Sequence, residues 1–253
     1  MSESAYKRVR IARNNGRPTG QDYIRNIFRE FTEFHGDRLC GDDRAVIAGI
    51  GSIQGMPVTV IGIEKGKNTQ ERIRRNFGSA HPEGYRKSLR LMQQAAKFHR
   101  PVLCIVDTAG AFCGVDAEEH GQGRAIADNL YTMADLPTPI LSLIIGEGGS
   151  GGALALCHSD CIWMMEDAYF SVVSPESCAN ILWKSTEKVA EAASALSLTA
   201  AKLRRAGLID RVCANDERKS LASEIAAEFT RLSEIPAAEL LEARYRRFRK
   251  VGY

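Results

Sequence analysis

The sequence predicts an α/β fold with a parallel sheet, and three observations carry that expectation. Two apolar runs, PVLCIV (101–106) and ILSLII (140–145), read as fully buried strands. Each run opens into a glycine-containing turn, at Gly110 and at Gly146 to Gly152, and each turn is followed by strong helix formers. In a parallel arrangement, consecutive turns of this kind leave the sheet on one edge, so two sets of N–H donors face one cleft.

Residues 1–20 are polar and basic and end in GRPTG, which predicts an arm or loop. Tyr23, Ile24, Ile27, Phe28, Phe31 and Phe34 recur at helical spacing and predict one amphipathic helix over 22–34. In the polar connection FHGDRLCGDD (34–43), Arg38 with Asp37, Asp42 and Asp43 reads as a loop salt network. Strands over 45–53 and 57–63 flank Gln54-Gly55 and form a hairpin. Residues 64–87 gather Lys65, Lys67, Arg72, Arg74, Arg75, Arg86 and Lys87 against few acids, in a long structured loop. That loop is either a cradle for a phosphorylated or carboxylated ligand or a solvated basic face.

An amphipathic helix over 85–98 precedes the first buried strand, and a helix over 117–136 follows its turn. Residues 161–165 and 169–173 read as a third pair of short strands. Residues 174–210 are alanine-rich and helical, opening on a Ser174-Pro175-Glu176 cap signal and stopping near Gly207. A short strand over 208–213 and a helical, basic tail over 216–249 complete the chain, the tail lying on a surface or a partner. Trp163 and Trp183 are expected to be packing residues. The organisation is thus an N-terminal arm (1–20), a main domain (21–215) and a C-terminal helical extension (216–253).

Bulk properties narrow the function. With 44% hydrophobic and 26% charged residues, 253 residues suffice for a substantial core. A net charge of +3 is too small to argue for nucleic acid, which is not expected as a partner. No apolar run reaches the length of a membrane span and the N-terminus has no signal-peptide core, so a cytoplasmic protein is expected. Seven cysteines, an odd number without C-x-x-C pairs, predict reduced thiols and no metal site in this chain.

The densest signal is PILSLIIGEGGSGGALALC (139–157), which admits three machines. Gly146, Gly148 and Gly151 satisfy the dinucleotide pattern G-x-G-x-x-G, but Glu166 and Asp167 come early for its ribose-binding acid. Gly148, Ser150 and Gly152 satisfy the nucleophile elbow G-x-S-x-G, yet the only downstream histidine, His158, falls on the same predicted helix. The third machine is a backbone oxyanion hole, which needs no catalytic side chain at all. Tight helix–strand packing by small residues is the plainer alternative.

Further motifs resemble one family across 8–212, the α-type carboxyltransferase subunit of multisubunit bacterial acetyl-CoA carboxylase. They are RPTGQDYI, HGDR, KGKNT with RRNFG, PEGYRKSLRLM, DTAGAFCGVDAEEHGQ, IGEGGSGGALAL and SPESCANILWKS. The resemblance implies a crotonase-like spiral of ββα units with flanking helices. It implies transfer of CO2 from carboxybiotin, borne on a separate biotin carboxyl carrier protein, to acetyl-CoA or a related acyl-CoA. It also implies a hetero-oligomer containing an α-type pair and a β-type partner, whose zinc ribbon would hold the only zinc.

Two enolate-like charges arise in that reaction, one on the biotin ureido oxygen and one on the thioester oxygen, so two oxyanion holes are implied. By resemblance, Gly151, Gly152, Gly110 and Ala111 serve as the catalytic backbone. Gly148, Gly149, Ser150, Phe112, Cys113 and Gly114 surround the cofactor, with Lys65, Arg74 and Arg75 contributed by the basic segment. Ala109 and Cys113 stand where the family usually has proline, and Asp116 where it has glycine. Two rivals stay open: a crotonase-fold acyl-CoA hydratase or decarboxylase without biotin, and a non-catalytic assembly paralogue.

Overall fold

A computed structural model describes residues 5–251. The chain enters through α1 (Ala5–Ala12) and α2 (Gly20–Ile27). Where composition predicts an arm, Ala5, Val9 and Ala12 are buried on one face of α1. Residues 1–4 of the expected arm lie outside the described residues. The helix expected over 22–34 is instead two elements, α2 and a strand, β1 (Glu30–Glu33), divided at Phe28, whose backbone is extended (φ −110°, ψ 131°). β1 pairs antiparallel with β2 (Val46–Ile53). The aromatic stripe continues past the helix because Phe28 and Phe31 lie over glycines of β2. A Cβ on Gly51 would lie 2.5 Å from Phe28, and one on Gly49 2.9 Å from Phe31.

β2 and β3 (Met56–Ile63) form the expected hairpin. Gln54 (φ 50°) and Gly55 (φ 84°) both take positive φ, the conformation that matches the twist of a two-residue hairpin. Gly55→Ala is expected to lower stability by about 1–2 kcal/mol through this backbone strain, read as a shift in the urea midpoint. The basic segment is more ordered than a loop: α3 (Thr69–Arg74) starts on an Asn68 cap, a 3-10 turn follows at Asn76–Gly78, and α4 (Pro82–Lys97) begins three residues before the expected start. α3 buries none of its residues, so it has no amphipathic signature.

Beyond α4, β4 (Val102–Thr108) runs parallel to β3, with Thr59 opposite Val102. The single helix expected over 117–136 is broken into α5 (Val115–Glu119) and α6 (Gln122–Ala134) by Gly121 at φ 81°. β5 (Ile140–Gly149) is parallel to β4 and continues four residues beyond its expected end. After α7 (Ser150–Leu154), β6 (Cys161–Met165) lies beside the first half of β5, while β7 (Tyr169–Ser171) lies beside the second half. β6 and β7 are therefore not paired with each other. They share β5 end to end.

Ser174 caps α8 (Pro175–Trp183) by accepting the Ser177 N–H, and α9 (Val189–Ala195) and α10 (Ala200–Arg205) follow before Gly207 turns at φ 71°. β8 (Arg211–Cys213) adds to β6, completing an eight-stranded sheet in the order β1-β2-β3-β4-β5-β6-β8 with β7 on β5. α11 (Leu221–Ser233) and α12 (Ala237–Arg249) close the chain. The tail is held more firmly than a surface helix. Arg244 is buried, binds both carboxylate oxygens of Asp160, and donates to the carbonyls of Met133, Leu136 and Thr138 at the end of α6. Trp163 is buried as expected, whereas Trp183 is partly exposed. Five cysteines are buried, and Cys40 and Cys113 are exposed. Among the described residues no helix is long and apolar enough to cross a membrane.

Candidate functional site

The parallel order β3-β4-β5 brings the ends of β4 and β5 to one edge of the sheet, and the two glycine turns meet there. They line an open cavity of about 470 Å³ with Gly110, Ala111, Phe112, Cys113, Ser150, Gly151 and Gly152. Ile126, Val172 and Val173 also line it, together with the polar Glu118, Gln122, Ser174 and Ser177. Glycine is required at 152: a Cβ there would lie 2.8 Å from Gly110 C and from Tyr85 Oη, and closer still to Ala111 N. Tyr85, fully buried on α4, donates to the Gly152 carbonyl at 3.2 Å and pins this turn from behind. At 151 a Cβ would meet only Ile126, at 4.0 Å.

The first amides of a helix have no intrahelical acceptor, so the N–H groups of Gly151 and Gly152 emerge unsatisfied at the start of α7. With only five residues, α7 offers a weak dipole, and the amides themselves are the electrostatic asset. Across from them, Phe112 N–H is taken by the Ala80 carbonyl and Gly110 N–H by Thr108 Oγ1. This narrows the expectation for Gly110. Its N–H is already satisfied, and its backbone takes φ 156°.

Three of the five glycines answer to packing. Gly146, Gly148 and Gly149 are buried in β5. A Cβ on Gly149 would overlap the Ala109 carbonyl, and one on Gly146 would overlap the Arg17 guanidinium. Gly149 thus sets the approach of the two turns, Gly148 packs against Phe170 and Tyr169 of β7, and neither lines the cavity. Gly114 caps α5 just beyond it.

Behind the turns lies a buried ionic network that ties the N-terminal segment to the sheet edge. Glu147 accepts from Arg13 at 2.8 Å, from Tyr169 Oη at 2.6 Å, and from Lys65. Asp107 pairs with Lys65 at 3.1 Å and with Arg17, and accepts the Glu147 N–H at 3.0 Å, locking β4 to β5. Burial alone would raise the Glu147 carboxyl, but Lys65, Tyr169 and Arg13 outweigh it and hold it down at about 2. Lys65 is therefore consumed by this network and does not reach the glycine cavity. Arg75 donates to the Arg44 carbonyl, and Arg74 lines a different cavity beside His81 and Asp116. The cradle expected from Lys65, Arg74 and Arg75 is thus not assembled around the turns.

The other readings of the glycine run lose their partners. No histidine lines the cavity, so Ser150 lacks the histidine that a nucleophile elbow uses as its base. His158 stacks on Phe248 at 3.9 Å, and burial lowers its pKa to about 4. Glu166 accepts the Asn215 N–H and Asp167 pairs with Arg8 and Asn215, so neither is a ribose-binding acid. Asp37, Asp42 and Asp43 are structural, but their cations are not the expected Arg38, which donates to the His35 carbonyl: Asp37 accepts the Leu39, Cys40 and Gly41 amides and Arg86, and Lys87 binds Asp42.

Solved structures share this architecture. The transcarboxylase 12S core superposes with a TM-score of 0.72 at 20% identity, over 85% of this chain and 43% of that one. The Pseudomonas malonate decarboxylase MdcD–MdcE heterodimer gives 0.65 at 18% identity, over 85% and 86%. The chain spans less than half the length of the transcarboxylase and geranyl-CoA carboxylase chains it matches. The fold is thus the crotonase-like α/β fold of these structures.

Sequence likeness is closer. The family model for acetyl co-enzyme A carboxylase carboxyltransferase-like proteins matches residues 2–252, and the chain belongs to that family. The carboxyl transferase subunit alpha of Ruminiclostridium cellulolyticum is 53% identical over 255 residues, 98% of each chain. A Clostridium tetani protein named as subunits beta/alpha is 48% identical over 258 residues, and this chain corresponds to 45% of its length.

Proposed function

We propose that the chain is the α-type carboxyltransferase subunit of an acetyl-CoA carboxylase, and that its glycine cavity receives the biotin ring. The observation that carries this reading is that Ala111, Gly151 and Gly152 together line one open cavity with no histidine among its lining residues. Main-chain N–H groups at such a site can stabilise negative charge on an oxygen. The contact between Gly152 and Ala111, too close for any Cβ, fits a cradle built from main chain alone.

Carboxybiotin, borne on a separate carrier, supplies the carboxyl group and a ureido oxygen that gains negative charge as CO2 leaves. The three amides hold that charge in place, and a preorganised donor of this kind contributes about 3–4 kcal/mol in the transition state. Tyr85 keeps the Gly152 turn from relaxing, and Thr108 does the same for Gly110. The acyl-CoA, its thioester oxyanion hole and the zinc ribbon fall to a β-type partner in the cytoplasm. The Clostridium tetani beta/alpha chain supports that pairing.

The test is co-purification with a β-type chain followed by malonyl-CoA formation from carboxybiotin and acetyl-CoA. The complex is expected to turn over and the isolated chain to be inactive. Turnover of an acyl-CoA by this chain alone would instead establish a biotin-independent enzyme.

A further inference from the structure

We propose that Cys40, Glu83 and His120 together bind a divalent metal ion of the zinc class, at a site separate from the glycine cavity. One ligand atom from each, a sulfur, a carboxylate oxygen and an imidazole nitrogen, lies within 4.8 Å of the other two. This mixed donor set is one that zinc favours, at bond lengths of about 2.0–2.3 Å. Those bonds place neighbouring ligand atoms roughly 3.3–3.8 Å apart in a tetrahedron, so closure needs movements of about 1 Å. Cys40 and His120 are exposed and free to make them, while Glu83 is buried and fixed on α4.

The frame around the three ligands is already set. Asp37 accepts the N–H groups of Leu39, Cys40 and Gly41, which fixes the backbone from which the thiol projects. Arg86 binds the His120 carbonyl at 2.8 Å and Glu83 Oε1 at 3.0 Å, tying the end of α5 to α4. His120 Nδ1 and Glu83 Oε1 are already 2.6 Å apart. The ligands open onto a cavity whose rim carries His81 and Asp116, leaving room for water to complete the coordination shell.

No local spacing shows this site, because its ligands come from a loop, a helix and a helix end brought together by the fold. The expectation of a metal-free chain rests on the absence of C-x-x-C pairs, which a Cys/Glu/His cluster does not require. The test is a titration of the chelator-treated full chain with Co²⁺, followed by competition with Zn²⁺. One equivalent of Co²⁺ is expected to produce a thiolate-to-cobalt charge-transfer band in the near ultraviolet, and Zn²⁺ to abolish it.

Cys40→Ser should remove the band, whereas Cys113→Ser, at the other exposed thiol, should leave it. His120→Asn should weaken Zn²⁺ binding by more than about tenfold, since even outer partners of metal ligands matter on that scale. Both Cys40 and His120 are exposed, so their variants are expected to fold. Absence of the band in the unmodified chain, or its persistence in Cys40→Ser, overturns the proposal.

Discussion

Gly152→Ala is expected to lower carboxyl transfer by about two to three orders of magnitude, the scale set by loss of an oxyanion donor. The added methyl would fall 2.8 Å from Gly110 C and Tyr85 Oη and nearer still to Ala111 N. Tyr85 is fully buried and cannot yield, so the half-buried loop bearing Gly110 and Ala111 must move instead. A displacement of about 1 Å is enough to cost two orders of magnitude where geometry carries the catalysis. The loss should appear in kcat rather than in KM, because the donors act on charge that develops only during the reaction.

Gly151→Ala is the companion. Its methyl meets only Ile126 Cγ2 at 4.0 Å, so thermal stability should stay near that of the unmodified chain. Equal turnover in Gly152→Ala and the parent complex would refute the backbone site. A loss of activity that merely tracks a fall in Tm would reduce it to packing.

The same geometry shows what the sequence could and could not reveal. The buried strands, the hairpin at Gln54-Gly55 and the meeting of two glycine turns follow from local rules, because runs of Val, Ile and Leu bounded by glycine have few alternatives. The division of labour among the glycines does not. Gly146 and Gly149 face Arg17 and Ala109, residues 129 and 40 positions away in the chain, and only the fold shows that these two serve close approach.

Lys65, Arg74 and Arg75 look alike in the sequence, and their fates differ because Glu147 and Asp107 claim Lys65 alone. The N-terminal segment was legible in part. Ala5, Val9 and Ala12 sit at i, i+4 and i+7, a short apolar stripe that the surrounding Lys7, Arg8 and Arg10 mask. Its anchors, Arg13 and Arg17, bind acids that no local pattern connects to them.

Those anchors set the second large effect, which is pH-dependent. Glu147→Gln is expected to destabilise the fold by about 3 kcal/mol near neutral pH, the equivalent of lowering a carboxyl from its ordinary 4.5 to about 2. The sign follows from the depressed pKa. The folded state binds the proton less tightly than the unfolded chain, so the stabilisation is complete above about pH 4.5 and disappears as pH falls through 2. By pH 3 the difference between the parent and the Gln variant should shrink to less than half its neutral value. A series of urea midpoints from pH 7 to pH 3 measures this directly. A constant gap across that range would mean that Lys65 and Arg13 do not hold Glu147 as an anion, and that the glutamate matters here only for its shape.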